Sequence, residues 1–245
     1  PSGMSIIANN MIGGGFTYAY NQGWTVAFDV TAAINNVAFY YNSIYLDTPG
    51  TNLSFTTSFR LHSGSADVRM VNNSFCYEVG EQGKNNFSYG LYIANKDSVV
   101  EMDYNNYHVN IANFMYYGTL VGNLATLQTI GHNNYNSRVG DPQYIGAYDL
   151  HSYAAQLSGA GTPIAGITTD IDGDERDATN PCIGADEYIP MFDRDLSVVS
   201  LSGPSLTKVG TPEIYEITVK NEGRIWQTEY SVYLMDQKTN KTLAS

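Results

Sequence analysis

Five acidic side chains crowd into residues 170–177: Asp170, Asp172, Asp174, Glu175 and Asp177. Hard cations need clustered oxygen ligands, so Asp170, Asp172 and Asp174 are the candidate metal ligands, and Ca2+ is the ion they suit. The spacing is not that of an EF-hand loop, because Gly173 sits at the fourth position of the run and Pro181 at the twelfth. The preferred reading is a tight turn in which Asp side chains cap backbone amides and Arg176 pairs internally. Glycoside hydrolysis needs two carboxylates about 5–9.5 Å apart across a sugar, and Asp67, Glu101 and Asp103 could share one surface. His62, His108, His132 and His151 are scattered, and a lone histidine is more often a surface or turn residue than a catalyst. Tyr40, Tyr41, Tyr45, Tyr104, Tyr107, Tyr116 and Tyr117 could stack on sugar rings. Strand aromatics more often fill a core or stack between layers. Asp97-Ser98-Val99 fits a short bacterial O-glycosylation pattern. No catalytic residue is assigned.

What would position these groups is a repeat. An apolar-x-x-Asn-x-apolar motif recurs as Ile7–Ile12, Phe39–Ile44, Met70–Phe75 and Met102–Tyr107. Its Asn falls at Asn10, Asn42, Asn73 and Asn105, in steps of 32, 31 and 32 residues. Phe28-Asp29-Val30, Phe59-Arg60-Leu61 and Leu91-Tyr92-Ile93 keep the same beat, each alternating with the period of a strand. No helical stretch of strand-connecting length separates them, which argues against a βαβ arrangement. Stacked repeats would set equivalent strands about 4.8 Å apart, with apolar columns inside and the four Asn side chains in an amide ladder at a bend. After residue 110 the rhythm weakens. His132-Asn133-Asn134-Tyr135 reads as a fifth copy, 28 residues after Asn105, and Asn123 caps a short helical turn over Leu124–Gln128.

Composition agrees with an all-β chain. The 245 residues include 23 Asn, 23 Gly and 20 Tyr but only 15% charged side chains, and Asn and Gly favour turns while Tyr favours strands. The net charge is −12, and residues 1–190 carry 17 acidic against 6 basic groups. Such a surface repels phosphate backbones and anionic lipid, so nucleic acid is excluded as a partner. Neutral glycans, cations and proteins remain. Cys76 and Cys182 could form one disulfide, but two buried free thiols are preferred. No apolar run approaches the ~18 residues of a membrane span, so direct membrane insertion is not expected. The abrupt start at Pro1 suggests a processed or excised piece.

Residues 117–190 resemble the C-terminal coils of secreted bacterial parallel β-helix proteins, the pectate-lyase-like superfamily as found in Bacteroidetes-type surface proteins. The resemblance rests on Leu124–Gln128 followed by Asn136–Tyr144 with its Asp141-Pro142, then Ser158–Ile164, Thr169–Arg176 and Ile183–Tyr188. Cys182 stands where the family usually has Asp. Leu196–Leu201, Ile214–Lys220 and Tyr230–Met235 read as strands. With Lys208-Val209-Gly210 and Asn221-Glu222-Gly223 they resemble the start of an Ig-like adhesion-related module, too short for a complete sandwich. The expected architecture is therefore a right-handed parallel β-helix over residues 1–190, followed by a partial Ig-like β-sandwich over residues 191–245.

The resemblance implies a secreted or outer-surface location. Lyases of the family abstract a sugar proton with a basic residue, often beside calcium. Here Arg60, Arg69, Lys84, Lys96, Arg138 and Arg176 pair with no carboxylate cluster in a recognisable arrangement. The expectation is a non-catalytic, adhesin-like display or binding protein for a glycan or protein ligand, with no required cofactor. The alternative is a carbohydrate-active β-helix enzyme, a polysaccharide lyase or glycoside hydrolase, whose catalytic coils lie partly upstream of Pro1.

Overall fold

The computed structural model describes residues 3–14, 24–47, 55–78, 88–130, 134–190, 194–205, 210–221, 223, 227–236, 238–239 and 241–244. Lys84, His132, Asn133, Lys208, Val209 and Glu222 lie outside them. The chain forms two compact units, Pro1–Pro190 and Met191–Ser245. No helix among the described residues is long and apolar enough to cross a membrane.

The first unit is built from parallel strands. They are β1 (Ser5–Ala8), β2 (Met11–Ile12), β3 (Trp24–Val30), β4 (Asn35–Tyr40), β5 (Ser43–Leu46), β6 (Phe55–Leu61), β7 (Ala66–Val71), β8 (Ser74–Tyr77), β9 (Ser88–Ile93), β10 (Val99–Asp103), β11 (Asn106–Val109) and β12 (Met115–Tyr117). Every third strand shares a sheet, in the orders β1-β4-β7-β10, β2-β5-β8-β11 and β3-β6-β9-β12. The chain thus visits three sheets in turn and returns one strand further along. A short strand β13 (Leu120–Val121) ends the third sheet antiparallel to β12.

The register explains the sequence repeat. Ile7, Phe39, Met70 and Met102 are partners in the first sheet. Ile12, Ile44, Phe75 and Tyr107 are partners in the second. Phe28, Phe59, Leu91 and Met115 are partners in the third. These three files converge on one core. Within it Phe59 meets the rings of Phe28, Phe39 and Phe75 at 5.5, 5.1 and 5.7 Å between centroids. Burying such rings is the main favourable term available to a chain with few charges.

The bend between the first and second sheets is a two-residue corner with one conformation throughout. Asn9, Tyr41, Asn72 and Tyr104 have φ of 55°, 52°, 60° and 55°, and each immediately precedes an Asn of the repeat. Left-handed backbone costs a tyrosine about 1–2 kcal/mol, so something at the corner must hold it. The next residue does so. Asn10 Nδ2 donates to Asn42 Oδ1 at 2.8 Å, Asn42 Nδ2 to Asn73 Oδ1 at 2.9 Å, and Asn73 Nδ2 to Asn105 Oδ1 at 3.0 Å. Each Oδ1 also accepts the backbone N–H of the preceding Asn in the file. Ser137 takes the fifth place in the file: its Oγ receives Asn105 N at 3.0 Å, 32 residues on. A hydroxyl can take that N–H but lacks the second amide proton, so the amide file stops there.

Residues 141–188 add no further circuit. After helix α1 (Leu124–Ile130), capped by Asn123 Oδ1 on Thr126 N at 2.8 Å, and a hairpin of β14 (Tyr144–Gly146) with β15 (Asp149–Ser152), the chain runs back over the corner. Thr162 O accepts from Tyr41 Oη and Asn72 Nδ2, both at 2.7 Å, and Thr169 O accepts from Asn9 Nδ2 at 2.8 Å. Gly184 is required here: φ is +108°, and a Cβ would stand 2.8 Å from Ser43 Oγ. This strap ties early and late circuits together.

The second unit contains two antiparallel pairs among its described residues, β16 (Leu196–Ser202) with β17 (Glu216–Asn221) and β18 (Leu234–Asp236) with β19 (Lys241–Ala244). β16 runs one residue past the expected Leu201, while β17 and β18 are shorter than the alternating pattern suggests, since Ile214 and Tyr230 fall outside them. A two-stranded ribbon cannot bury both faces, and Val198, Val199 and Leu201 are all exposed.

Candidate functional site

Side chains that alternate with the core files point outward, and on the second sheet they assemble a cleft. Ile44, Phe75 and Tyr107 face inward, so their neighbours Tyr45, Cys76 and His108, which are mutual register partners, face out. Glu78 follows two residues after Cys76 on the same side. Its Oε2 accepts from Tyr45 Oη at 2.8 Å, and its Oε1 lies 2.8 Å from His108 Nε2. The start of the strap roofs the group: Asp141, Gln143 and Tyr144 join Tyr45, Cys76 and Glu78 around a cavity of about 230 Å³. Tyr144 is fixed by its own hydroxyl on Ser74 Oγ at 2.9 Å.

Electrostatics separate these groups by role. The hydrogen bond from His108 holds the Glu78 carboxyl below its usual value, and the same contact raises His108. Burial raises the Tyr45 hydroxyl, helped by Glu78. Burial also pushes the Cys76 thiol well up, with Glu78 and Asp141 adding to it. A protonated, 2% exposed thiol is a poor nucleophile. The arrangement is suited to holding a cation, not to covalent chemistry. Both cysteines are free and buried.

The acidic run resolves into a turn. Asp170 Oδ1 accepts Asp172 N and Asp174 N, each at 2.9 Å, and its Oδ2 accepts Glu187 N at 2.9 Å. Asp170 is buried and its oxygens are committed to backbone amides. Asp172 turns instead to His151 Nε2 at 2.7 Å, while Asp149 takes His151 Nδ1. Asp170, Asp172 and Asp174 are therefore not brought together as one ligand set. The grouping that does form is His151 with Asp172 and Asp186.

His151 between two carboxylates is expected to stay protonated. Hydrogen bonds to Asp172 and then Asp149 raise it to about 9. The stabilisation is fully present below the unfolded value near 6.5 and is lost as pH rises through about 9. The ring is 37% exposed, so screening leaves roughly 1 kcal/mol. Unfolding free energy should fall by that amount between pH 6.5 and 9.5 relative to His151→Gln. An imidazole proton titration by NMR with a midpoint near 6.5 would defeat this account.

The other candidates are dispersed. Glu101 and Asp103 share the outer face of β10, but Glu101 lies 3.8 Å from Arg69 and Asp103 holds Asn136 N and Nδ2. Of the tyrosines, Tyr40, Tyr41, Tyr107 and Tyr117 are buried. An aromatic shelf nevertheless exists on the outer side of the third sheet, where Tyr116 of the candidate tyrosines joins Phe55, Tyr89 and Tyr92, which the sequence does not single out. Tyr92 and Tyr116 stack at 4.7 Å and 11°, with Phe55 5.1 Å from Tyr92 and Tyr89 5.8 Å from Tyr116. Arg60, forked onto Asp29 at 2.6 and 2.7 Å, stands beside Tyr92 in register.

Compared with known proteins, the chain matches no protein family, no curated protein and no solved structure.

Proposed function

We propose that this chain is a non-catalytic, adhesin-like protein of a bacterial outer surface or secretion, in which a right-handed parallel β-helix over residues 1–190 displays a glycan-binding face. Three parallel sheets visited in turn support the helix, and the right-handed crossover is the rule for parallel strands. Residues 191–245 are the opening strands of an Ig-like module. The one observation that carries the binding role is the shelf of Phe55, Tyr89, Tyr92 and Tyr116. The half-buried rings of Tyr89, Tyr92 and Tyr116, of which Tyr92 and Tyr116 are register partners, sit on rigid strands backed by the buried Phe55 and offer apolar faces and edges to sugar C–H groups at low entropic cost. The deficit of basic residues leaves a neutral glycan favoured over an anionic one.

The test is binding of the full chain to a panel of neutral and uronate-containing polysaccharides, read by affinity electrophoresis. Two stacked rings at about 0.5–1.5 kcal/mol each set the expectation: Tyr92→Ala with Tyr116→Ala should weaken binding about tenfold. No new reducing ends or unsaturated sugars should appear. Product formation would overturn the non-catalytic reading in favour of a carbohydrate-active enzyme, and undiminished binding by the double variant would remove the shelf.

A further inference from the structure

We propose that Cys76, Glu78 and His108 form a binding site for a thiophilic divalent cation of the zinc class, on the outer face of the second sheet. This is a separate site from the aromatic shelf and does not depend on it.

The three side chains come from two adjacent strands and the end of one of them. Cys76 lies on β8, Glu78 directly follows that strand two residues on, and His108 on β11 is the register partner of Cys76. Their ligand atoms all lie within 4.8 Å of one another. Ligands of a tetrahedral ion with bonds of about 2.0–2.3 Å stand roughly 3.3–3.8 Å apart, so rotamer adjustment closes the site without moving backbone. The donor set of one thiolate, one imidazole and one carboxylate is borderline-soft, which selects zinc-like ions over calcium or magnesium.

Two independent features point to an occupant. The Cys76 thiol is 2% exposed, lines the cavity of about 230 Å³ and has no hydrogen-bond partner among the described residues. An inert core cysteine would face apolar side chains; this one faces an acid, an imidazole and a void. Second, the remaining wall is acidic and ordered. Asp141 faces the cavity, and Tyr45 holds the second oxygen of Glu78 at 2.8 Å. That contact is the outer hydrogen bond that orients a ligating carboxylate. Three protein ligands leave a fourth position open toward Asp141 and Tyr144. Metal binding would release the Cys76 proton, since a coordinated thiol is deprotonated outright.

The experiment titrates the reduced, chelator-stripped full chain with Co2+ and then displaces it with Zn2+. The expected result is one equivalent per chain and a thiolate-to-cobalt charge-transfer band that zinc abolishes. Cys76→Ser should lose the band, and Cys182→Ser should keep it. Tyr45→Phe removes only a hydroxyl and should lower affinity about tenfold. Glu78→Gln and His108→Gln, both at the cleft rim, should weaken binding at least as much, and they carry the test if Cys76→Ser fails to fold. Absence of the band at stoichiometric cobalt would overturn the proposal. So would a band that survives Cys76→Ser or follows Cys182, or affinity indifferent to Glu78, His108 and Tyr45 substitutions.

Discussion

Asn73→Ala is expected to lower the unfolding free energy by about 3–6 kcal/mol, while Asn10→Ala should cost roughly 1 kcal/mol. The two residues hold the same place in successive circuits, and the difference lies in what each would strand. Asn73 is fully buried. Its Oδ1 receives Asn42 N at 3.1 Å and Asn42 Nδ2 at 2.9 Å, and its Nδ2 reaches Phe39 O at 2.9 Å as well as Asn105 Oδ1. Alanine takes the acceptor from both Asn42 N and Asn42 Nδ2 in a site water cannot enter, at about 1–3 kcal/mol each, and the lost donations to Phe39 O and Asn105 Oδ1 add to this. Asn10 ends the file, is half-buried, and donates to Asn42 Oδ1 and Ala8 O without receiving from an earlier Asn. Its loss exposes groups that water can serve. Asn73→Asp sharpens the test. It keeps the acceptor oxygen but loses the donor, and sets a charge against Asn105 Oδ1 and Phe39 O, so it should be at least as damaging as alanine. Denaturant midpoints at constant m-value measure all three. Equal losses for Asn73 and Asn10 would mean that the file is a by-product of stacking and does not hold the left-handed corner.

That file was legible because stacking turns vertical contacts into sequence repeats. Ile7, Phe39, Met70 and Met102 can be read as one column from spacing alone, and the all-β class follows from them. The cleft lay on the same ruler. Tyr45, Cys76 and His108 each sit three residues beyond Asn42, Asn73 and Asn105. Because a site needs different residue types in adjacent layers, the column carries no recurring letter, and His108 read as a stray histidine. The shelf was hidden for another reason. Tyr92 and Tyr116 are register partners, yet they are 24 residues apart, because the last circuit is shorter than the others. The strap was least legible of all. Its contacts join residues 90–167 apart through one or two hydrogen bonds each, such as Asn72 with Thr162 and Arg176 with Asn9, and nothing periodic marks them. In the acidic run the carboxylates alone would suit a cation, but the preferred turn is what forms, with backbone amides of Asp172, Asp174 and Glu187 occupying Asp170.

Arg176→Ala is expected to cost about 3–5 kcal/mol, the range for removing one partner of a buried ion pair, and to release the strap before the stacked sheets unfold. The guanidinium lies 3.9 Å over the ring of Tyr41. It donates to Glu187 Oε2 at 3.2 Å, Asn9 Oδ1 at 3.0 Å, Gly184 O at 3.2 Å and Ala185 O at 2.9 Å. Its side chain is 2% exposed. Desolvation lowers its pKa, against the pull of Glu187. One planar cation thus joins the first two corners to the last turn of the strap, and alanine would leave Glu187 and the two carbonyls facing a void. Arg176→Lys should recover little, because an ammonium cannot reproduce the fork or the stacking. Arg176→Met with Glu187→Gln should recover more than either alone, since it fills the volume and removes the stranded charge. Hydrogen exchange distinguishes local from global loss: amides of residues 161–188 should lose protection while those of β4, β7 and β10 keep theirs. If both sets weaken together, the strap and the stack are one cooperative unit, and Arg176 is part of the core instead of its clasp.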